Sequence, residues 1–190
     1  MTKDTKEIII QTLINIVAEG NPLTIEEISR QSGITRTTIQ RNFDNKGIQG
    51  IIYFMAERII TEIDEELVKH NPDELPLEIF ADIVLPILWK HYREAHTIYS
   101  FPIPYPIADM AVELSFSWVK KRYEYLVISH SLIPFSARDL LYYWNIQLFT
   151  VCSIWLGTSN PLKPEEFKPK FIYLMKTSLY DLIYKDIGLH

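Results

Sequence analysis

The chain is predicted to be all-α: a small N-terminal head of three helices followed by a larger helical body, about nine helices in total. Three observations carry this. No stretch alternates apolar and polar residues as a half-buried strand would, whereas apolar residues recur three and four apart. Pro and Gly punctuate the chain between those stretches. Side chains able to cap a helix stand where several of the stretches begin.

The first helix is expected from about Lys3 to Glu19, ending at Gly20. Thr24 is a good N-cap for the next, and Glu27 completes a T-x-x-E capping box. Ile25 and Ile28, three apart, share one face of that helix. Ser29 is small where two helices must cross. Gly33 supplies a turn residue that tolerates positive φ. Thr35 then caps a third helix, Arg36 to about Asn42. Ile34, Ile39 and Phe43 point inward, which leaves Arg36, Thr37, Thr38, Gln40 and Arg41 facing water or a nucleic acid groove. This is the helix-turn-helix arrangement, whose second helix enters the major groove. Two capped helices joined by a Gly turn also occur in small domains that bind no DNA, so a longer span has to decide.

A fourth helix starts near Lys46, continues through Ile59, Ile60, Ile63 and Leu67 to about His70, and ends at Asn71-Pro72. A fifth is expected from about Leu77 to Ala95, kinked or restarted at Pro86. Residues 101–106, with a Pro at every second position, read as a stiff connector. A long helix follows from about Ala108 to Ser131, then a turn at Pro134-Phe135. Ser136 caps the next helix, which reaches about Leu156 before a loop from Gly157 to Pro161. The last helix runs from Pro164 or Pro169 to about Asp186, stopped by Gly188.

Residues from about Lys6 to Ile52 resemble the N-terminal domain of TetR/AcrR-family transcriptional regulators. The likeness rests on an amphipathic helix from Ile8 to Glu19 ending at Gly20, and on Thr24 opening the next. It continues through the turn Ser32-Gly33-Ile34-Thr35, the pair Thr38-Ile39, then Phe43, Lys46 and Ile48. Three positions depart from the family pattern: Gln40 stands where a phosphate-contacting Tyr is usual, Asn42 where an aromatic is common, and Gly47 where Glu is usual. Gln40 has an amide able to read an adenine edge instead. Gly47 weakens the first turn of the helix it opens.

The resemblance implies a homodimer on an inverted-repeat operator in double-stranded DNA, with repression the usual outcome. Arg36, Thr37, Thr38, Gln40 and Arg41 would face bases or nearby phosphates. Thr24 and Thr35 would position the motif through helix N-termini, and Lys46 by charge. It also implies an effector pocket in the body and a dimer interface built by the last two helices, here about Leu140 to Leu156 and Phe167 to Ile183. Phe171, Leu174, Met175, Ser178, Leu179, Leu182 and Ile183 form a broad stripe that Tyr180 and Tyr184 widen. One apolar face is needed for the core; the breadth points to a second buried one.

The chain has 190 residues and a net charge of −5. Its positive charge is local: from Ile28 to Lys46, four cations (Arg30, Arg36, Arg41, Lys46) face one anion (Asp44), 4 − 1 = +3. Over residues 1–50 the charges balance, so a shallow salt dependence per subunit is expected. Aromatics are sparse before residue 72, with only Phe43, Tyr53 and Phe54, and abundant after it. This supports a DNA-binding domain at 1–50 and an effector-binding and dimerisation domain at 51–190, joined by continuous helix. The effector is expected to be small and largely apolar. Trp89, Tyr92, Tyr99, Phe101, Tyr105, Phe116, Trp118 and Tyr143 are its candidate contacts, each with core packing as the competing reading.

The single Cys152 excludes an internal disulfide and reads as a small buried hydrophobe. His91 and Glu94 are i, i+3, but neither H-E-x-x-H nor paired Cys ligands occur, so no metal site is expected. No phosphate-binding Gly loop or nucleophile motif stands out, and the chain is expected to be neither an enzyme nor dependent on a cofactor. With no signal peptide and no membrane-length apolar run, a cytoplasmic protein is expected. The alternative reading is a helical small-molecule-binding protein whose helix-turn-helix is degenerate, or a coregulator without DNA binding of its own.

Overall fold

The computed structural model describes residues 3–71, 75–100, 107–113, 119–120, 124 and 136–184. Among these residues the regular structure is entirely helical, as expected. In chain order the helices are α1 (Lys3–Ala18), α2 (Ile25–Ser32), α3 (Arg36–Asn42), α4 (Gly47–Leu67), α5 (Leu77–Lys90), α6 (Tyr92–Tyr99), α7 (107–113), α8 (Ala137–Leu156), α9 (Pro164–Lys176) and α10 (Leu179–Tyr184). The connector at 101–106, most of the expected 108–131 helix, the Pro134-Phe135 turn, Asp186 and Gly188 lie outside the described residues.

The caps form where their residue types demand them. Thr24 accepts from the Glu27 backbone N–H at 3.0 Å, and Thr35 from that of Thr38 at 3.3 Å. The expected box at Thr24 is only half made, because the Glu27 carboxylate accepts from Arg30 at 2.8 Å and Gln31 at 2.7 Å instead of from the Thr24 N–H. Ser136 and Asp139 make a reciprocal capping box at the start of α8. Gly33 ends α2 in the left-handed region, φ 70°, and its N–H returns to the Ser29 carbonyl.

The head packs Ile9, Ile10, Leu13 and Ile16 of α1 together with Ile28, Ile39, Phe43, Ile51, Ile52 and Met55. α4 then carries the core onward without interruption. Its later residues Ala56, Ile59 and Leu67 belong to the same buried cluster as Phe80, Ala81, Val84, Leu85 and Leu88 of α5 and Phe167, Phe171 and Met175 of α9. An aromatic ladder clamps α5, α8 and α9. Trp89 stacks on Trp155 at 6.0 Å, and Trp155 on Phe167 at 4.6 Å. The Trp155 indole donates to the Leu162 carbonyl at 2.8 Å, so its polar edge is satisfied inside the core.

Two helix boundaries differ from expectation. Pro86 does not interrupt α5; the break comes at His91 (φ −99°, ψ 27°). Pro86 and Asp82 are both exposed, so the Asp82 carbonyl that loses its helical partner lies on the side where water can reach it. The His91 ring is tied to Glu62 of α4 at 2.7 Å, which fixes the chain where α5 gives way to α6. The last helix also divides. Thr177 is extended (φ −100°, ψ 132°), and the Ser178 hydroxyl accepts from the Asp181 N–H at 3.0 Å to open α10. Ser178 and Asp181 are a helix-start pair that competes with continuation of α9. Among the described residues, no helix is long and apolar enough to cross a membrane.

Candidate nucleic-acid interface and ligand cavity

α2 and α3 meet through a short, fully specified turn. The Ser29 hydroxyl donates to the Ile34 carbonyl at 2.7 Å, so Ser29 links the first helix to the turn as well as leaving room for the crossing. α3 buries Ile39, and Phe43 at its C-cap is 3% exposed. Arg36, Thr37, Gln40 and Arg41 are exposed on the rest of its surface, with Thr24, Thr35 and Lys46 exposed around it. Thr38 is half-buried, and its hydroxyl is engaged by that of Thr35 at 2.9 Å. Thr38 therefore supports the cap and is less available to a base than its neighbours.

The turn from α3 into α4 uses left-handed backbone at Asp44 (φ 53°), Asn45 (φ 58°) and Gly47 (φ 61°). Asp and Asn are the non-glycine types that best tolerate this region. Gly47 is thus a requirement of the local path rather than a weak first helical residue. A Glu there would be strained by its own backbone.

The charge around α3 is smaller than the 28–46 window indicates. Arg36 pairs with Glu26 at 2.7 Å, and Arg30 with Glu27. Hydrogen bonds from Arg30 and then Gln31 hold the Glu27 carboxyl down to about 2. Both acids lie just before residue 28. Starting the count at Thr24 adds them and turns +3 into 4 − 3 = +1. Arg30 and Arg36 thus have carboxylate partners within the motif.

Behind α4 lies an apolar cavity of about 360 Å³. Its walls come from α4 (Ile59, Ile60, Ile63, Asp64), α5 (Phe80, Val84, Leu88), α6 (Ile98, Tyr99) and α8 (Trp144, Asn145, Leu148, Phe149, Cys152), with Ala111 and Val119 also contributing. Of the aromatic candidates named from the sequence, Phe101, Tyr105, Phe116 and Trp118 lie outside the described residues, and Tyr99 lines the cavity. Trp89 and Tyr92 do not, because they pack on each other at 5.5 Å and on Trp155 and His96. Tyr143 is 71% exposed; its neighbour Trp144 takes the inward position. Trp144, Phe80 and Phe149 were missed. The available signal was the α8 stripe Leu141, Asn145, Leu148, Cys152, spaced four, three and four apart. Asp64 was missed too, although it is an acid inside the apolar run Ile60, Ile63, Leu67.

Cys152 is fully buried, and burial pushes its thiol up to about 12. Thiolate is the reactive form. Iodoacetamide at pH 8 should therefore leave Cys152 unmodified in the folded protein and modify it in urea, read by intact mass. Equal rates in the two states would contradict this burial.

A second polar cluster ties α1, α4, α5 and α6 together. Arg58 of α4 binds Glu7 of α1 at 3.0 Å and Glu94 of α6. His91 stands between Glu62 (2.7 Å) and Glu94 (3.7 Å), and Lys90 also reaches Glu62. Lys90 and then His91 hold the Glu62 carboxyl below its usual range. That contribution is present at neutral pH and is lost as pH falls through the lowered value. The i, i+3 pair His91 and Glu94 is thus drawn into an ion-pair network. Among the described residues no group of three metal-ligating side chains forms.

Comparison with protein-family models and with curated proteins returns no match for this chain.

Proposed function

We propose that the protein is a DNA-binding transcriptional regulator of TetR type, acting as a homodimer and controlled by a small, largely apolar effector. The observation that carries this is the geometry of α3. It is capped at Thr35, anchored by Ile39 and Phe43, and presents Arg36, Thr37, Gln40 and Arg41 on an exposed face. An α-helix so presented fits the major groove. α4 supports a route for control, because its first turns join the head core and its later turns wall the cavity. An effector that binds one placement of α4 better than another shifts the population of DNA-competent molecules.

The surface supports the dimer. Seven of the ten exposed large hydrophobics among the described residues lie on α8, α9 and α10: Tyr143, Ile154, Tyr173, Leu179, Tyr180, Ile183 and Tyr184. The broad stripe divides at Thr177. Phe171 and Met175 serve the monomer core, whereas Leu179 and Tyr180 remain 72% and 68% exposed. Two copies joined there would place recognition helices for successive major grooves, ~34 Å apart.

Selection from a random duplex pool tests this reading, with an Arg36→Ala/Arg41→Ala control. An enriched inverted repeat, lost in the control, is expected. No enrichment at low salt would favour the second reading, a ligand-binding protein with a degenerate motif. The pairing of Arg30 and Arg36 with carboxylates is the observation that favours that alternative. In the DNA-binding reading, Glu26 restrains Arg36. Glu26→Gln should then tighten binding to generic duplex by about threefold, the scale of an exposed ion pair. It should also steepen the salt dependence by about one phosphate contact. Unchanged affinity and slope would remove Arg36 from the phosphate-contacting set.

A further inference from the structure

The cavity behind α4 has one charged wall residue among those described, Asp64. The rest of the described wall is aliphatic and aromatic, with Asn145, Tyr99 and Cys152 as minor polar elements and no Lys, Arg or His among the described residues. Asp64 is half-buried, but its Oδ1 has no accessible surface and no hydrogen-bond partner. Buried acceptors are almost always satisfied, so this oxygen carries an unmet demand that a small turn of the Asp64 carboxylate toward a donor in the cavity would meet. Among the described residues no donor reaches it. The Asn145 amide nitrogen donates to Leu141 of its own helix at 2.9 Å, and the adjacent charge, Glu65, has the same sign as Asp64. Burial and then Glu65 push the Asp64 carboxyl above its usual range, a penalty that a bound cation relieves.

We infer that the cavity takes a lipophilic amine, its ammonium group donating to Asp64 and its hydrocarbon body lying against Trp144, Phe80 and Leu148. This rests on reading the cavity as the effector site and names the chemistry of the effector. A carboxylate ligand of the same length would meet like charge at Asp64, with no cationic partner among the described wall residues. A neutral ligand would fill the apolar volume but offers a weaker bond than the charge-assisted one.

The test uses octylamine, octanol and octanoate as probes, titrated calorimetrically into the full-length protein. The wild type is expected to bind octylamine about thirtyfold more tightly than octanol, and octanoate least, the scale of a desolvated charge pair. Asp64→Asn keeps the shape, and should bring octylamine to the level of octanol without changing the octanol affinity. Asp64→Ser serves as a second variant, and both are checked for folding by their thermal transitions. Octylamine no tighter than octanol in the wild type, or undiminished by Asp64→Asn, overturns the role of Asp64 while leaving the cavity as a binding site. If none of the three probes binds, both readings fall. Leu148→Trp, which fills the cavity, should abolish binding of amine and alcohol alike; retained binding would place the amine elsewhere.

Discussion

Gly50→Ala is expected to destabilise the protein by about 3 kcal/mol, against the ordinary sign of that substitution in a helix. In an open helical position, replacing Gly by Ala stabilises by about 1 kcal/mol, because alanine loses less backbone freedom on folding. Gly50 lies in the first turns of α4, where that helix crosses the end of α3. A Cβ there would lie 2.5 Å from the Phe43 carbonyl oxygen, 3.0 Å from the Phe43 Cβ and 3.1 Å from the Lys46 Cβ. The nearest obstacle is backbone, so rotating a side chain cannot relieve the contact. Phe43 is itself fixed, buried at 3% exposure and packed edge-on against Phe54 at 5.8 Å, with the Lys6 ammonium above both rings. Relief therefore requires α3 and α4 to separate. Urea denaturation should show a lower midpoint with an unchanged slope, and DNA affinity should fall with it if α3 is the recognition helix. Gln49→Ala, at the exposed neighbouring position, should be neutral or slightly stabilising. Equal midpoints for the two variants would mean that the crossing adapts at little cost.

The second large effect is expected at Arg58. Its guanidinium bridges Glu7 on α1 and Glu94 on α6, with the Glu94 side chain only 11% exposed and that of Arg58 34%. Removing one partner of a fully buried pair costs about 3–5 kcal/mol, and breaking a surface pair at most about 1 kcal/mol. One-third exposure of the arginine places Arg58→Ala between these limits, at about 2–3 kcal/mol after allowing for solvent screening. For a chain of this size that is a fall of roughly 5–10 °C in Tm. Most of the cost lies in what remains: a Glu94 carboxylate with one oxygen already unpartnered, and His91 Nδ1 3.7 Å away from the other. Glu94→Gln in the Arg58→Ala background should therefore recover part of the loss. A double-mutant cycle with additive effects would show that the two side chains are not coupled.

Much of the head was legible in the sequence because its signals are local. Thr24, Gly33 and Thr35 each act on backbone within a few residues, and these three formed as read. The reciprocal half of the Thr24–Glu27 box did not, because Arg30 and Gln31 lie within reach of the Glu27 carboxylate. Ser136 likewise opened α8. The same reasoning could have placed the α9–α10 break, since Ser178 and Asp181 form a helix-start pair. The continuous apolar periodicity across 171–183 masked it. Gly47 was read as a weak helix start because helix propensity was weighed without the path of the chain; φ 61° reverses its meaning.

The cavity was not legible in the same way. Its wall is assembled from α4, α5, α6, α8 and residues 111 and 119, and periodicity places side chains on a face without naming the face opposite. Tyr143 and Trp144 are adjacent aromatics, and only the packing of α8 decides which points inward. Net charge near α3 shows the same limit: the sequence contains Glu26 and Glu27, but the fold sets Glu26 against Arg36. By itself the sequence determined the helical class, the head motif and its caps, because hydrogen bonds to nearby backbone and apolar spacing are local properties. The tertiary structure alone decided the close crossing at Gly50, the Arg58 bridge and the place of Asp64 in the cavity wall, because each depends on which distant surfaces are brought within a few ångströms of one another.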